Sequence, residues 1–389
     1  MPGIVVRPRA RIFHGHDWVY SNEVLKTFGD PAPGDIISLK DGRDRSLGSA
    51  IYNPKSQIVA RRFSRRKQEL DLDFFARRIS QAMTTREKLN ALRNPGRLVW
   101  SESDGLPGVI IDRYGSHIVL QTLTLGMDQR KALICDAIRQ LCSPESIVER
   151  NDVPIRKAEG MELAAGALYG SVPPELEIQV ARLGFQIQLL TGQKTGFYLD
   201  QIDNYGEVAR LSRGLDVLDC FSNQGAFALA CARAGAKSVT AVEINSELVT
   251  AIEKNAHRNN LHLTAIAANV FDYLTSLPER EARFDLVILD PPSFAKTKEA
   301  LGSAWRGYKE IHLRALQLLS PEGILVTFSC SHHVSREMFL ELIVQASVDA
   351  KRSVRILKYL SQPLDHPILP HLPETEYLKG FILQALPGR

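Results

Sequence analysis

The sequence predicts an α/β protein whose carboxyl-terminal half is a doubly wound parallel sheet, preceded by a small β-barrel and a central α+β segment. Three observations predict it. Continuous apolar runs recur from residue 215 onward: LDVLDCF, SVTAVEI, LTAIAA, FDLVILD and GILVTFSC. Helical stretches such as SELVTAIEKNAHRN and YKEIHLRALQLL separate them. Strands that are apolar on both faces and alternate with helices belong to a parallel sheet covered on both sides.

The preceding elements follow in order. DIISL, SLGSAIY and QIVARRF are short strand-like pieces divided by Asp41-Gly42 and Asn53-Pro54, the spacing of a small all-β module over residues 1–67. That module ends in RRFSRRK, where Arg61, Arg62, Arg65, Arg66 and Lys67 form a candidate nucleic-acid patch or a solvated linker. Leu72, Phe75, Ile79 and Met83 then recur at steps of three and four, one buried helical stripe. LVWSESDGLPGVIIDRYGSHIVLQTL alternates apolar stretches with turn dipeptides and reads as hairpin strands, followed by a helix at about 127–142. Residues 68–180 form the central domain, and the sheet domain runs over 181–389.

Composition bounds the function. The 389 residues are 44% hydrophobic, enough for two or three cored domains. No apolar run approaches membrane-spanning length, and the first residues lack a secretory apolar core, so a cytoplasmic protein with no membrane partner is expected. Five cysteines without C-x-x-C spacing suggest neither a zinc site nor disulfides, and no metal site is predicted. Net charge is +4, yet residues 1–67 hold 13 Lys/Arg against 6 Asp/Glu, so positive charge is concentrated at one end.

In a doubly wound sheet, ligands bind outside the carboxyl ends of the strands. The first strand closes with Asp219 and turns through Phe221, Ser222 and Gly225 into a helix. Only one of the glycines of a dinucleotide loop is present, so the loop lacks a phosphate cradle and, taken alone, reads equally as a structural turn. Glu243 ends the second strand at the distance where an acid holds a ribose hydroxyl pair. Loop and acid together point to an adenosyl ligand without a pyrophosphate. Asn269, Val270 and Phe271 stand at the third rim, where an amide can meet an adenine edge or simply cap a helix. The fourth strand ends in LDPPSFAK, and two prolines hold Asp290 in a rigid extended turn. A carboxylate for a ring-nitrogen edge and an aromatic, Phe294, for the ring face suit a planar base. The segment LLTGQKTGFYLDQ does not match a phosphate loop, because Lys194 precedes Gly196.

TGQKTGFYLDQ, LDCFSNQGAFA, LDPPSFAK, RGYKEIHLRALQLL, TFSCS and DHP…ETEYLKGF, taken together, closely resemble the RlmI-type ribosomal RNA large-subunit cytosine-5 methyltransferases over nearly the whole chain. HDWVYSNEV with GSAIYNPKSQIVARRF resembles that family's amino-terminal PUA domain, an RNA-binding barrel. The resemblance implies a Rossmann-like class I domain that uses S-adenosylmethionine, and large-subunit ribosomal RNA as partner. It implies that Lys194, Thr195, Gly196, Tyr198, Asp200, Phe221, Ser222, Gly225, Glu243, Asn269, Val270, Phe271 and Asp290 line the donor pocket. Asn269 stands where relatives commonly have aspartate, and the DPPSF motif carries no second thiol. Oligomeric state is left open, a homodimer included.

The resemblance also gives VTFSCSHH a reason. Cytosine C5 is a weak nucleophile, and a thiolate adding to C6 activates it. Cys330 is therefore the expected nucleophile, with Asp290 orienting the base and Pro291, Pro292 and Phe294 shaping its site. A buried small hydrophobe is the structural alternative for Cys330. A guanine N-methyltransferase of the same fold, or a non-catalytic RNA-binding assembly factor, are the functional alternatives.

Overall fold

The computed structural model describes residues 1–277, 283–295 and 299–387. Its chain divides into two compact units: residues 1–178, 186–199 and 363–375 in the first, and 179–185, 200–362 and 376–389 in the second.

The first unit contains two sheets. One has six strands in the order Trp18–Tyr20, Ile58–Ser64, Ser46–Tyr52, Ile36–Lys40, Gly3–Val6, Val24–Phe28. Gly3–Val6 runs parallel to Ile36–Lys40, and the remaining pairs are antiparallel. Ile4, Val6, Val19, Ile37, Leu39, Ala50 and Ala60 fill its core. The three strand-like pieces expected from sequence are the strands Ile36–Lys40, Ser46–Tyr52 and Ile58–Ser64.

The other sheet has five strands, ordered Ala164–Gly170, Ser146–Asn151, His117–Thr122, Val109–Tyr114, Gly96–Trp100. Helices Leu72–Lys88 and Lys131–Cys142 share its core, burying Phe75, Ile79, Ile134 and Ile138. Asp71 starts the first of these helices by accepting a hydrogen bond from the Phe74 amide at 2.8 Å, which satisfies one of the helix's open donors.

Residues 186–199, expected to travel with the later sheet, belong to this first unit, and the reason is a buried polar chain. Arg97 grips Asp112 with two bonds of 2.7 and 2.8 Å. Thr195 Oγ1 donates to the same carboxylate at 2.7 Å, and Tyr114 Oη lies 3.1 Å from Thr195 Oγ1. Arg150 adds a bond to the Leu189 carbonyl at 3.0 Å. A buried charge pair holds its place only when its remaining lone pairs are satisfied, and Thr195 does part of that here.

The second unit is built on one seven-stranded sheet, ordered Thr264–Ala267, Ser238–Glu243, Asp216–Cys220, Phe284–Leu289, Leu319–Ser329, Lys379–Ala385, Val354–Ser361. The first five of these are mutually parallel. Lys379–Ala385 runs antiparallel to both neighbours, inserted between them. Val217, Leu218, Leu286, Val287, Ile288 and Leu289 are fully buried, which is why these strands read as unbroken apolar runs. The doubly wound α/β fold expected from the sequence is thus present. Strand order reverses between Asp216–Cys220 and Phe284–Leu289, the switch point outside whose carboxyl ends sheets of this kind bind ligands.

Candidate active site

Backbone geometry shapes the first rim of the second unit. After Asp216–Cys220 the chain takes positive φ at Phe221, Asn223 and Gly225. At Gly225 (φ 83°) an added Cβ would meet Ile252 at 3.1 Å, so glycine fits both the dihedral and the space. The following helix, Ala226–Arg233, starts there. Ser222 is buried and its hydroxyl donates to Asp219, which also accepts from the Ala228 amide at 3.1 Å. All of this uses Asp219 Oδ2, while among the described residues the buried Oδ1 has no hydrogen-bond partner. Burial, with Asp290 and Glu243 adding repulsion, pushes the Asp219 carboxyl up to about 7.

Glu243 is buried, and its two oxygens accept from the Asn223 and Asn245 amides, each at 3.0 Å. Its carboxylate is therefore fixed beside the loop, with lone pairs remaining. Asn269 caps the helix Val270–Ser276 by accepting from the Phe271 amide at 2.9 Å. Val270 lies in the hydrophobic core and Phe271 packs against it, which leaves Asn269 as the exposed member of that rim.

Asp290 leaves the fourth strand half-buried. Its Oδ2 accepts from Gln201 Nε2 at 3.0 Å, and Gln201 Oε1 in turn accepts from Asn204 Nδ2 at 2.6 Å. The carboxylate is thus oriented by a side-chain relay. Pro291 is buried and Pro292 exposed. Phe294 sits in an aromatic cluster, its ring centroid 4.6 Å from Tyr308, 6.0 Å from Phe271 and 6.4 Å from Phe221. Asp200 is buried and accepts from Tyr377 Oη at 2.8 Å.

Cys330 follows directly on the strand Leu319–Ser329 and is half-buried, between the fully buried Ser329 and Ser331. Tyr308 Oη lies 3.1 Å from Ser329 Oγ and 3.0 Å from Ser331 Oγ. Ser331 Oγ is also 2.9 Å from Ser293 Oγ. That last bond joins the loop of Asp290 to the turn of Cys330. His332 is exposed with its ring 5.9 Å from that of Tyr377, and His333 is half-buried. The buried Lys379 donates from Nζ to the Ser331 carbonyl at 2.7 Å.

The other expected residues lie in the first unit. Lys194 is exposed with its ammonium 4.1 Å from the Tyr198 ring centre, and Tyr198 Oη donates to Gln193. Gly196 is buried at φ 129°. Thr195 is spent on the Asp112 network. The basic run separates into two kinds. Arg61 pairs with Glu102 at 2.8 Å and Glu159 at 3.6 Å and stacks over Trp18, while Arg62 is buried against Asp17 at 2.6 Å. Arg65, Arg66 and Lys67 are exposed. Asp219, Gln201, Tyr308 and Lys379 were given no role in the sequence reading. A lone lysine opening the apolar strand KGFILQA was the one available signal among them. Among the described residues no group of three or more His, Cys, Asp or Glu could hold a metal ion, and no helix is long and apolar enough to cross a membrane.

A seven-stranded sheet with an inserted antiparallel strand, an acid at the second rim and a loop with little glycine define a class I methyltransferase domain. The PUA-like domain family matches residues 7–65, and the family described as conserved hypothetical protein 95 matches residues 202–344. Two solved structures are similar over 99% of this chain and 100% of theirs. One, from Streptococcus mutans and provisionally assigned as a SAM-dependent methyltransferase, has a TM-score of 0.85 at 22% identity. The other, a provisionally assigned methyltransferase complexed with SAH, has 0.86 at 23%. At such identity they share the fold.

Sequence relatives are nearer. The ribosomal RNA large subunit methyltransferase I of Tolumonas auensis is 40% identical over 379 residues, covering 95% of this chain and 96% of that one. Its namesake from Erwinia tasmaniensis is 38% identical over 381 residues, with 95% and 96% coverage. The chain belongs to the ribosomal RNA large subunit methyltransferase I family.

Proposed function

We propose that this protein methylates C5 of a cytosine in large-subunit ribosomal RNA through a covalent adduct on Cys330. The observation that carries the reading is the Ser293–Ser331 hydrogen bond of 2.9 Å, which holds the Asp290 loop against the Cys330 turn. Base recognition and nucleophile then share one rim.

The donor is S-adenosylmethionine, and the residues present fit it. Asp219 offers a buried carboxyl oxygen with no hydrogen-bond partner among the described residues, suited to a cationic ligand. Glu243 offers fixed acceptors for ribose hydroxyls, and the loop 221–225 brings backbone close without a phosphate cradle. When bound, the donor supplies an electrophilic methyl group.

The chain's own groups do the rest. Cys330 Sγ, as thiolate, bonds to cytosine C6, and the C5–C6 π electrons become the nucleophile at C5. Asp290, held by Gln201, accepts from the cytosine amino edge and keeps the ring in register. After methylation a water or another base, the Asp290 carboxylate included, takes the C5 proton, the C–H pair reforms the double bond and the Sγ–C6 bond breaks, returning the thiolate. Phe294 backs the pocket from its aromatic cluster. Arg65, Arg66 and Lys67 on the PUA-like module contact phosphates, which fix register without reading sequence. Residues 1–67, 68–180 and 181–389 serve as RNA-binding, connecting and catalytic segments.

The test uses ribosomal RNA from cells lacking the enzyme, labelled donor and mass mapping of the product nucleoside. Wild type yields 5-methylcytosine, and Cys330→Ala yields none while still binding donor. RNA carrying 5-fluorocytosine, which cannot release a C5 proton, gives a denaturation-resistant complex only with Cys330 present. Wild-type turnover by Cys330→Ala, or a methylated guanine as product, rejects the reading.

A further inference from the structure

A lysine opens the inserted strand Lys379–Ala385, whose other residues are Gly, Phe, Ile, Leu, Gln and Ala. Register pairs Lys379 with Ser329, the residue before Cys330, and its Nζ reaches past Cys330 to the Ser331 carbonyl at 2.7 Å. The side chain is 3% exposed, yet among the described residues no carboxylate lies within ion-pair distance of Nζ. Burying an ammonium without a counter-ion is costly, and natural proteins keep such groups where they act on a neighbour.

The charged and titratable groups that face Lys379 are few. Cys330 favours its charged form, as does Glu376 more weakly, and Arg336 opposes it. Glu376 is already bound to Arg336 at 2.7 Å. Tyr308, across the strand end, is occupied with Ser329 and Ser331, and burial raises its hydroxyl. Among the described residues, Cys330 is the thiol whose charge acts on Lys379 from the neighbouring turn.

We propose that Lys379 is the positioning residue that activates Cys330: its ammonium, anchored on the Ser331 carbonyl, favours the thiolate over the thiol and holds it for addition to the base. The S–H bond breaks, the proton passes to water, and the charge left on sulfur is balanced by the ammonium. Burial lowers the Lys379 ammonium only to about 8, so it still carries its charge at neutral pH. This inference rests on the nucleophilic reading of Cys330.

The experiment follows alkylation of Cys330 by iodoacetamide across pH in the full-length protein, with peptide mapping to separate it from Cys135, Cys142, Cys220 and Cys231. Lys379→Gln keeps a donor for the Ser331 carbonyl but loses the charge, and Lys379→Arg keeps the charge. Donor binding and thermal unfolding confirm that each variant is folded, and Lys379→Met replaces the glutamine variant should it fail. Expected is a thiol profile moved up by about one pH unit or more in Lys379→Gln, with roughly tenfold slower alkylation at neutral pH. Lys379→Arg retains the low profile. A wild-type profile in Lys379→Gln, or an equal shift in both variants, overturns the proposal. If Cys330→Ala still methylates, the function reading itself fails; if Cys330→Ala is inactive and the Lys379→Gln profile is unchanged, only this inference does.

Discussion

Ser293 Oγ and Ser331 Oγ lie 2.9 Å apart, and through them the turn after the fourth strand is bonded to the turn after the fifth. Their contact, with Tyr308 Oη bonded to Ser329 and Ser331 behind it, fixes the spacing between Asp290 and Cys330. On the proposed reading, in which a carboxylate and a thiol meet one ring, the site depends on such supporting bonds.

The Gln201 relay makes a separable contribution. Gln201→Leu removes the bond to Asp290 while leaving Cys330, Glu243 and the donor loop intact. We expect kcat to fall roughly 10- to 100-fold, the cost of a misplaced reacting group, with donor affinity little changed. Steady-state kinetics with donor titration check this, and an equal loss in donor binding would assign Gln201 a different role.

The two kinds of arginine in RRFSRRK have opposite signatures. Neutralising Arg65, Arg66 and Lys67 together is expected to weaken RNA binding and lower the salt slope by about one per contact, roughly three in all. Arg61→Ala instead leaves Glu102 and Glu159 buried without their partner. It is expected to cost about 3 kcal/mol or more of stability. Filter binding over a salt series and thermal denaturation separate the two.

Asp219 gives a pH test with a definite sign. Its folded-state carboxyl sits at about 7 against an ordinary value of 3.8, so the folded form holds a proton that the unfolded chain has lost. The stability this confers is complete below about 4 and is lost as pH rises through about 7. The melting temperature of donor-free protein should therefore carry a component that falls between pH 4 and 7. Asp219→Asn, which cannot titrate, should lack it. Identical pH profiles for the two proteins would show that Asp219 does not titrate there.

The sheet was legible in the sequence because burial on both faces leaves an unbroken apolar record in each strand. The Phe221–Gly225 turn, Glu243 and the Asp290 turn were legible because their residue types suit their backbone. Contacts distant along the chain left no such record. Thr195 is fastened to Asp112, 83 positions earlier, which draws residues 186–199 into the first unit. Lys379 meets the Cys330 turn because a late strand enters the sheet one place before its end. A run of arginines, likewise, reads the same whether its members face water or buried acids; only Asp17, Glu102 and Glu159 decide the matter.

The polypeptide passes back and forth between its two units, lending residues 186–199 and 363–375 to the first while the second resumes at 200 and again at 376. No single cut in the polypeptide separates the two units whole. A cut at residue 178 would therefore leave the first unit without residues 186–199 and 363–375.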